Sequence, residues 1–199
     1  MNRVFIRPTA LFCAFFAFSV FSFAQTSPTP LPGVKIANFG QMDEKYYRGA
    51  QPLADDYQSL KDLGVTTVID LRNDPTDYEK ADVEALGMKY INLPMSGWKT
   101  PKDEDIDQFL ALLKNPETGT VFVHCKAGIH RTGITAAIYR MTKYGWDYDQ
   151  SYKEMKNYEF SSGLFHGALK SYVKDYAKKL QAAASANAGT LAVKAATSN

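Results

Sequence analysis

The sequence predicts a single-domain α/β sandwich: a central, mostly parallel sheet of about four or five strands with helices on both faces. Short β-branched or apolar runs, typical of buried strands, alternate with longer segments whose apolar residues recur at helical spacing. Short connections bounded by Gly or Pro separate these segments. Strands that alternate with helices in this way favour a sheet covered by helices.

The first half of the domain begins with short strand candidates and ends with a strand closed by proline. The helix that starts at Leu53 stops at Gly64, and the next run is rich in β-branched residues, as expected of a buried strand. The segments are strands at 34–39 and 46–48, a helix at 53–63, a strand at 65–71, a helix at 77–86 and a strand at 88–93.

The second half contains one strand and four helices. Thr100 is a suitable N-cap, because Pro101 occupies the first helical position and acidic residues fill the first turn. The segments are a helix at 100–114, a strand at 120–124 and helices at 131–143, 149–157 and 165–180.

Residues 1–24 are predicted to be a secretory signal peptide. Arg3 and Arg7 give a basic start, residues 10–23 are almost wholly apolar, and Ser-Phe-Ala at 22–24 offers small residues to a signal peptidase. The apolar run is shorter than the roughly 20 residues that span a bilayer. An uncleaved anchor is the alternative. We therefore expect a periplasmic or secreted protein without stable membrane association once the signal is removed.

Two further segments are excluded from the predicted core. Residues 25–33 form a Pro-rich linker, and residues 181–199, rich in Ala and Ser, are predicted to be a disordered tail. Residues 34–180 remain, enough for one domain. Of 23 basic residues two lie in the signal, so 21 basic balance 21 acidic residues. This near-zero net charge gives no electrostatic case for a nucleic-acid partner.

The informative motif is Val-His-Cys-Lys-Ala-Gly-Ile-His-Arg-Thr-Gly at 123–133. Signal removal leaves Cys125 as the remaining cysteine, either a buried structural residue or a reactive thiol. A strand that gives way to a helix within a few residues turns backbone N–H groups inward and forms an anion-binding nest. Gly128 supplies the freedom for that turn, and Arg131 can present its planar fork to two phosphate oxygens. The motif predicts a site for a phosphate-like group.

These residues match His-Cys-x-x-Gly-x-x-Arg-Thr-Gly, the signature loop of the cysteine-dependent protein tyrosine phosphatases. The chain resembles their small bacterial and atypical dual-specificity branch, with further similarity in YRGAQP at 47–52, TVIDLR at 67–72 and INLPMS at 91–96. The resemblance covers about residues 39–179. The His-Arg-Thr-Gly ending is also similar to atypical phosphatases that include inositol pyrophosphate hydrolases.

The resemblance implies a mechanism and a set of site residues. Cys125 is the nucleophile that forms a phosphocysteine, Arg131 clamps the phosphate, and the Thr132 hydroxyl assists departure of the sulfur. His124 supports the loop from behind. No metal or other cofactor is required, and we expect a monomer that acts on a phosphorylated protein or small molecule. The backbone N–H groups that bind phosphate belong to Lys126, Ala127, Gly128, Ile129, His130 and Arg131.

The chain departs from the family pattern at the general acid. The family usually supplies an Asp from a loop upstream of the cysteine, but residues 92–98 contain no acid. Asp103 is our predicted acid; alternatively it serves only to cap its helix. Asp74 and Asp77 are further candidates. Without an acid, alkyl phosphates should be hydrolysed slowly and good leaving groups tolerably.

The expected function is hydrolysis of phosphotyrosine, and of phosphoserine or phosphothreonine, in proteins. One alternative is a phosphatase for inositol phosphates, inositol pyrophosphates or phosphoinositides, which Lys126 and His130 would favour if they are more than solvated loop residues. The other is a phosphate-binding pseudophosphatase. Trp98 is expected to be a stacking wall or a packed lid, and His166 a surface or helix-cap residue.

Overall fold

The computed structural model describes residues 31–163 and 166–196, with side chains as far as residue 188. The predicted signal peptide and most of the predicted linker, up to residue 30, lie outside the described residues. Five strands and six helices follow one another along the described chain: β1 (Gly40–Asp43), β2 (Tyr46–Gly49), α1 (Tyr57–Asp62), β3 (Thr67–Arg72), α2 (Glu79–Ala85), β4 (Lys89–Met95), α3 (Asp103–Lys114), β5 (Val121–His124), α4 (His130–Tyr144), α5 (Tyr148–Asn157) and α6 (Gly167–Ala196).

The strands form one sheet in the order β1-β2-β5-β3-β4. β1 pairs with β2 antiparallel, and the β2–β5, β5–β3 and β3–β4 pairs are parallel. The predicted sandwich with a mostly parallel sheet is therefore confirmed. β5 lies at the centre of the sheet, so the motif that follows it leaves from the middle of the carboxyl edge, where such sheets place ligand sites.

Helices cover both faces of the sheet. α1 and α2 pack on one face around Phe122, and α3 to α6 pack on the other around Val123. Because side chains alternate along a strand, the central strand contributes to both cores. His124 lies on the α1 and α2 side, stacked on Phe122 with ring centroids 5.5 Å apart, and Cys125 lies on the α4 side.

Some predicted boundaries differ from the observed ones. Residues 34–39 do not form a strand, and Asn38 has a left-handed φ of 51°, which breaks an extended run before β1 begins. α3 begins at Asp103 rather than near Thr100, because Lys102 keeps an extended backbone and occupies the N-cap position.

The predicted disordered tail is helical as far as Ala196. Alanine has the highest helix propensity, and this segment is rich in it. Residues 181–188 are exposed, so the extension buries little surface, as its composition suggests. Within the described ranges, no helix combines the length and the apolar character that a membrane crossing requires.

Candidate active site

The loop between β5 and α4 lies tightly against the neighbouring strand. Gly128 has φ +68°, and a Cβ added there would lie 2.5 Å from the Gly49 carbonyl carbon. Both the backbone conformation and this close approach require glycine. Because Gly128 has no side chain, the loop can pass close to the backbone of Gly49 and turn sharply there. This sharp turn places the start of α4 next to the end of β5.

Cys125 is 3% exposed at the base of this loop. Burial raises the pKa of its thiol, because a thiolate loses solvation there. The hydroxyl and N–H of Thr132, the Arg131 charge and the Gly128 N–H act in the opposite direction and leave the pKa below that of an ordinary thiol. The Thr132 hydroxyl is buried and bonds to no other group within the described ranges, so it is available to the sulfur.

The ends of β3 and β4 hold the Arg131 guanidinium. Its Nη1 donates to the Asn73 side chain at 3.1 Å, the Met95 carbonyl at 3.3 Å and the Leu71 carbonyl at 3.4 Å. All its hydrogen bonds to described residues use Nη1, which leaves Nε and Nη2 for two oxygens of one phosphate. The structure thus brings the predicted nucleophile and the predicted phosphate clamp into one site.

The site opens into a cleft of about 460 Å³. The loop and the start of α4 form its floor, and residues from three other segments form its walls. The lining residues are Asn73, Asp74, Gly97, Trp98, Cys125, Lys126, Ala127, His130, Arg131 and His166. A cleft of this size suits a small phosphorylated group rather than a large buried cofactor.

Three stacked rings form one wall of the cleft. Trp98 stacks on His166 with centroids 5.3 Å apart, and His166 stacks on His130 at 3.5 Å. Burial and the neighbouring His166 lower the pKa of His130, so this imidazole is neutral at neutral pH. His166 directly precedes α6, and its carbonyl accepts a hydrogen bond from the Lys170 N–H at 3.2 Å, which agrees with the expected helix-cap position. Its ring also lines the cleft, which the sequence did not predict. Trp98 contributes to the wall and is 67% exposed.

Asp103 does not line the cleft, in disagreement with its predicted role as the general acid. Its carboxylate accepts hydrogen bonds from Lys179 Nζ at 2.7 Å and Tyr172 Oη at 3.0 Å, both on α6. These bonds hold the pKa of Asp103 below its usual value. The first turn of α3 faces α6 rather than the loop, so the side chain is directed away from the sulfur.

Asp74 is the carboxylate that lines the cleft within the described part of the chain. Arg72 donates to it at 3.3 Å, and its Oδ1 lies 4.0 Å from Arg131 Nη1. The Arg72 hydrogen bond lowers the pKa of Asp74, so its carboxyl group is ionised at neutral pH. An ionised carboxylate has no proton to give to a leaving group. Asp77 does not line the cleft.

A buried charge cluster lies behind the loop, on the other face of the sheet. His124 Nε2 is 2.8 Å from Glu79 Oε1 and 3.9 Å from Asp70 Oδ1, and all three residues are fully buried. Burial raises the pKa of Glu79, but the contact with His124 outweighs it and lowers the pKa. Burial raises the pKa of Asp70. Glu79 and Asp70 thus fix the position of His124, and the sequence did not predict either contact. Support of the loop by His124, which the resemblance implies, stays a prediction.

The same three residues bring possible metal-ligand atoms within 4.8 Å of one another. Two ligands that each lie about 2 Å from one zinc ion are separated by more than about 3 Å in tetrahedral geometry. The 2.8 Å separation of His124 Nε2 and Glu79 Oε1 is shorter than that, so the two side chains contact each other directly and leave no room for an ion between them. The polar Asp70 within the β-branched run of β3 was the sequence signal for this cluster.

A nucleophilic cysteine at the end of a central strand, an anion nest and an arginine at the start of the next helix define the class of cysteine-dependent phosphatases. Residues 34–174 match the family model described as "DSP-PTPase phosphatase fused to NAD+ Kinase". The match covers more than half of the chain, and the chain belongs to this family.

The relatives with similar sequence include dual specificity protein phosphatase TpbA of Pseudomonas aeruginosa. It is 30% identical over 139 residues, which cover 67% of this chain and 62% of TpbA. The chain therefore spans less than two thirds of the length of this curated relative.

Solved structures share the fold. A crystal structure of P. aeruginosa TpbA in complex with pTyr gives a TM-score of 0.62 at 25% identity and covers 75% of this chain and 89% of that one. The core catalytic domain of the PP-IP phosphatase SIW14 from S. cerevisiae, in complex with citrate, gives 0.65 at 20% identity and covers 76% and 93%. At 20% identity, the similarity to SIW14 shows a shared fold and nothing further.

Proposed function

We propose that the protein hydrolyses phosphomonoesters through a phosphocysteine intermediate, with phosphotyrosine in proteins as the main substrate class and phosphoserine or phosphothreonine as further ones. The observation that carries the proposal is the geometry of the cleft, in which Cys125 and the loop lie beside an Arg131 guanidinium that is held by the ends of β3 and β4. The lowered pKa of the Cys125 thiol agrees with this arrangement. The family match and the similarity to TpbA, of which a complex with pTyr exists, support it.

The proposed chemistry has two steps. The Cys125 thiolate attacks phosphorus, so an S–P bond forms as the P–O bond to the leaving group breaks. Loop N–H groups, with Nε and Nη2 of Arg131, stabilise the charge that develops on the three remaining oxygens. Water then attacks phosphorus and releases inorganic phosphate, and the Thr132 hydroxyl stabilises the departing thiolate.

The leaving oxygen takes its proton from solvent in this scheme, because the Asp74 carboxylate in the cleft is ionised at neutral pH. A phenolate leaves without much help, whereas an alkoxide needs a proton during bond cleavage. We therefore propose that aryl phosphates are hydrolysed much faster than alkyl phosphates. The exposed indole of Trp98 offers a surface on which the aryl ring can stack.

The first test compares the native chain with Cys125→Ser on p-nitrophenyl phosphate and on a phosphotyrosine peptide. We expect the substitution to reduce kcat by roughly 10⁴-fold or more, since serine lacks a stabilised anion at neutral pH. Acid quenching during turnover of the native chain should yield phosphate bound to Cys125 by mass spectrometry. A chain that binds phosphate but shows no cysteine-dependent rate would be a pseudophosphatase and would refute the proposal.

A second candidate is hydrolysis of inositol phosphates or pyrophosphates. Lys126 is exposed at the mouth of the cleft, where it can meet extra negative charge, and a pyrophosphate leaving group also needs little protonation. Rates for a phosphotyrosine peptide and for inositol polyphosphates should be compared under the same conditions. A strong preference for the inositol compounds would replace the first candidate by the second.

We also propose that the mature protein acts in the periplasm or outside the cell. This proposal is supported by the basic and apolar pattern of residues 1–24. N-terminal sequencing of the protein from fractionated cells should give a chain that starts after Ala24. A chain that retains Met1 and stays with the membrane would support an uncleaved anchor instead.

A further inference from the structure

The carbonyl groups of the phosphate loop have specific partners outside the loop. In a trans peptide unit the N–H and C=O groups point in opposite directions. A loop that presents its N–H groups to an anion must therefore turn its carbonyl oxygens away. Three successive carbonyls, those of Lys126, Ala127 and Gly128, each accept a hydrogen bond from a donor elsewhere in the chain.

All three donors belong to residues 38–51, the segment that contains β1 and β2. The backbone N–H of Gln51 donates to the Lys126 carbonyl at 3.2 Å. Asn38 Nδ2 donates to the Ala127 carbonyl at 3.1 Å, and Arg48 Nη2 donates to the Gly128 carbonyl at 2.6 Å. One continuous segment, residues 38–51, thus orients three successive peptide units of the phosphate loop.

Arg48 is an unusual residue for the interior of a sheet. Its side chain is fully buried, and its guanidinium carbon lies 3.9 Å from the centroid of the Tyr158 ring. Among the described residues, no carboxylate forms an ion pair with it, and its Nε and Nη1 donate no hydrogen bond. A buried cation without a carboxylate is costly, although the ring face offsets part of that cost. A thiolate and a bound oxyanion on the same side of the sheet would complement its charge.

Asn38 has an unusual backbone. Its φ of 51° lies in the left-handed region, where asparagine is among the few non-glycine residues that are tolerated. Its amide also donates to Glu159 Oε2 at 3.3 Å. This conformation directs the amide at the loop rather than along β1.

We infer that Asn38 and Arg48 are positioning residues that hold the phosphate loop in its anion-binding conformation before any ligand binds. Asn38 fixes the peptide unit that contains the Gly128 N–H, and Arg48 fixes the unit that contains the Ile129 N–H. A preorganised nest does not have to reorder when charge develops on the phosphoryl group. The inference rests on the proposed function, because both residues act through the loop that binds phosphate.

The test measures the affinity for tungstate, a stable phosphate-like oxyanion, by calorimetry, and kcat by steady-state kinetics. Asn38→Gly keeps the left-handed backbone and removes the donor, and Arg48→Met removes the charge and the donor. We expect each to weaken tungstate binding about tenfold, the effect of one hydrogen bond to a strongly polarised group. Each should also lower kcat and raise the pH at which the Cys125 thiol becomes reactive towards iodoacetamide. Arg48→Lys should recover part of both losses.

Arg140→Lys is the matched control. Arg140 is also buried, but it lies in the last turns of α4 and is bound to Glu154 at 2.9 Å. Its substitution should lower thermal stability and leave tungstate affinity and thiol reactivity unchanged. All variants are measured below their unfolding temperatures.

The outcomes separate the inference from the proposed function. If folded Asn38→Gly and Arg48→Met bind tungstate as tightly as the native chain does, the inference is overturned. If Arg48→Met does not fold, Asn38→Gly decides, and an unchanged tungstate affinity overturns the inference. If the native chain neither binds tungstate nor hydrolyses an aryl phosphate, the proposed function fails as well.

Discussion

Cys125 and His124 are neighbours in the chain, yet they lie on opposite faces of the sheet in opposite electrostatic surroundings. On the Cys125 side, Arg131 and the loop N–H groups are arranged around a place where an anion can bind. On the His124 side the acidic groups already belong to the fold, because the Glu79 and Asp70 side chains are buried beside the imidazole. The comparison teaches that charges in front of β5 should control activity, and charges behind it stability.

The largest expected effect is on activity, from Arg131→Lys. Lysine keeps the positive charge but loses the planar fork that can bind two phosphate oxygens. We expect kcat/KM for p-nitrophenyl phosphate to fall about 100- to 1,000-fold. The free energy of unfolding, measured with urea, should change by less than about 1 kcal/mol. A variant that keeps more than a tenth of the native rate would contradict the role assigned to this arginine.

The next effect is on stability, from Glu79→Gln. The substitution removes the carboxylate that faces buried His124, and leaving a buried polar group without its partner costs about 1–3 kcal/mol. Urea denaturation measures this loss, and kcat should fall less than tenfold. Glu84→Gln is the matched control, because Glu84 lies on the same helix in an exposed pair with Lys80 and should contribute less than about 0.5 kcal/mol. If both variants lose the same free energy of unfolding, the buried charges behind β5 do not control stability as the comparison predicts.

The third effect is on pH dependence. A lowered pKa means that the Cys125 sulfur keeps its charge as the pH falls below about 8.5, the usual value for a thiol. The midpoint of alkylation by iodoacetamide should therefore lie below about pH 8.5, and the rate should decline as the pH falls through that midpoint. Thr132→Val removes a donor to the thiolate and should raise the midpoint by about one unit. A native midpoint near 8.5 would show that burial outweighs the donors.

The smallest effects are expected from the carboxylates. Asp103→Asn should change kcat for p-nitrophenyl phosphate less than twofold, because Asp103 is bound to α6 outside the cleft. Asp74→Asn should change it by about threefold at most, since Asp74 is already ionised and cannot act as an acid. The same variants are assayed on a phosphoserine peptide, whose alkoxide leaving group needs a proton. A thirtyfold loss on that peptide in either variant, with p-nitrophenyl phosphate little affected, would identify that residue as the proton donor.

The sheet and the phosphate loop could be predicted because their signals are local. A β-branched run or a Cys-x5-Arg spacing acts within a few residues, and its geometry follows from the strand and the helix on either side. The parallel pairing of most strands and the position of the phosphate loop at the carboxyl edge of the sheet could be predicted in this way. The order of the strands in the sheet could not.

The predictions about single side chains were less successful, because tertiary packing decides where those side chains point. The first turn of α3 is acidic, but α6 supplies Lys179 as the partner of Asp103 and turns it away from the cleft. A glutamate on a helix is ordinarily exposed to solvent, and Glu79 is buried because α2 packs against the sheet beside β5. Asn38 and Arg48 carry no local signal for contact with a loop so distant in sequence.

The separation between the loop and its supports also has a consequence for folding. Arg48 lies 80 residues before its partner in the loop, and Asn38 lies 89 residues before its own. Contacts between parts of a chain so far apart in sequence close late, because they must overcome the entropy of a long intervening segment. We expect the cysteine to keep the reactivity of an ordinary thiol until the loop has gained these supports. A chain in which β2 has not yet packed against β5 should therefore be alkylated at Cys125 more slowly than the native protein at neutral pH.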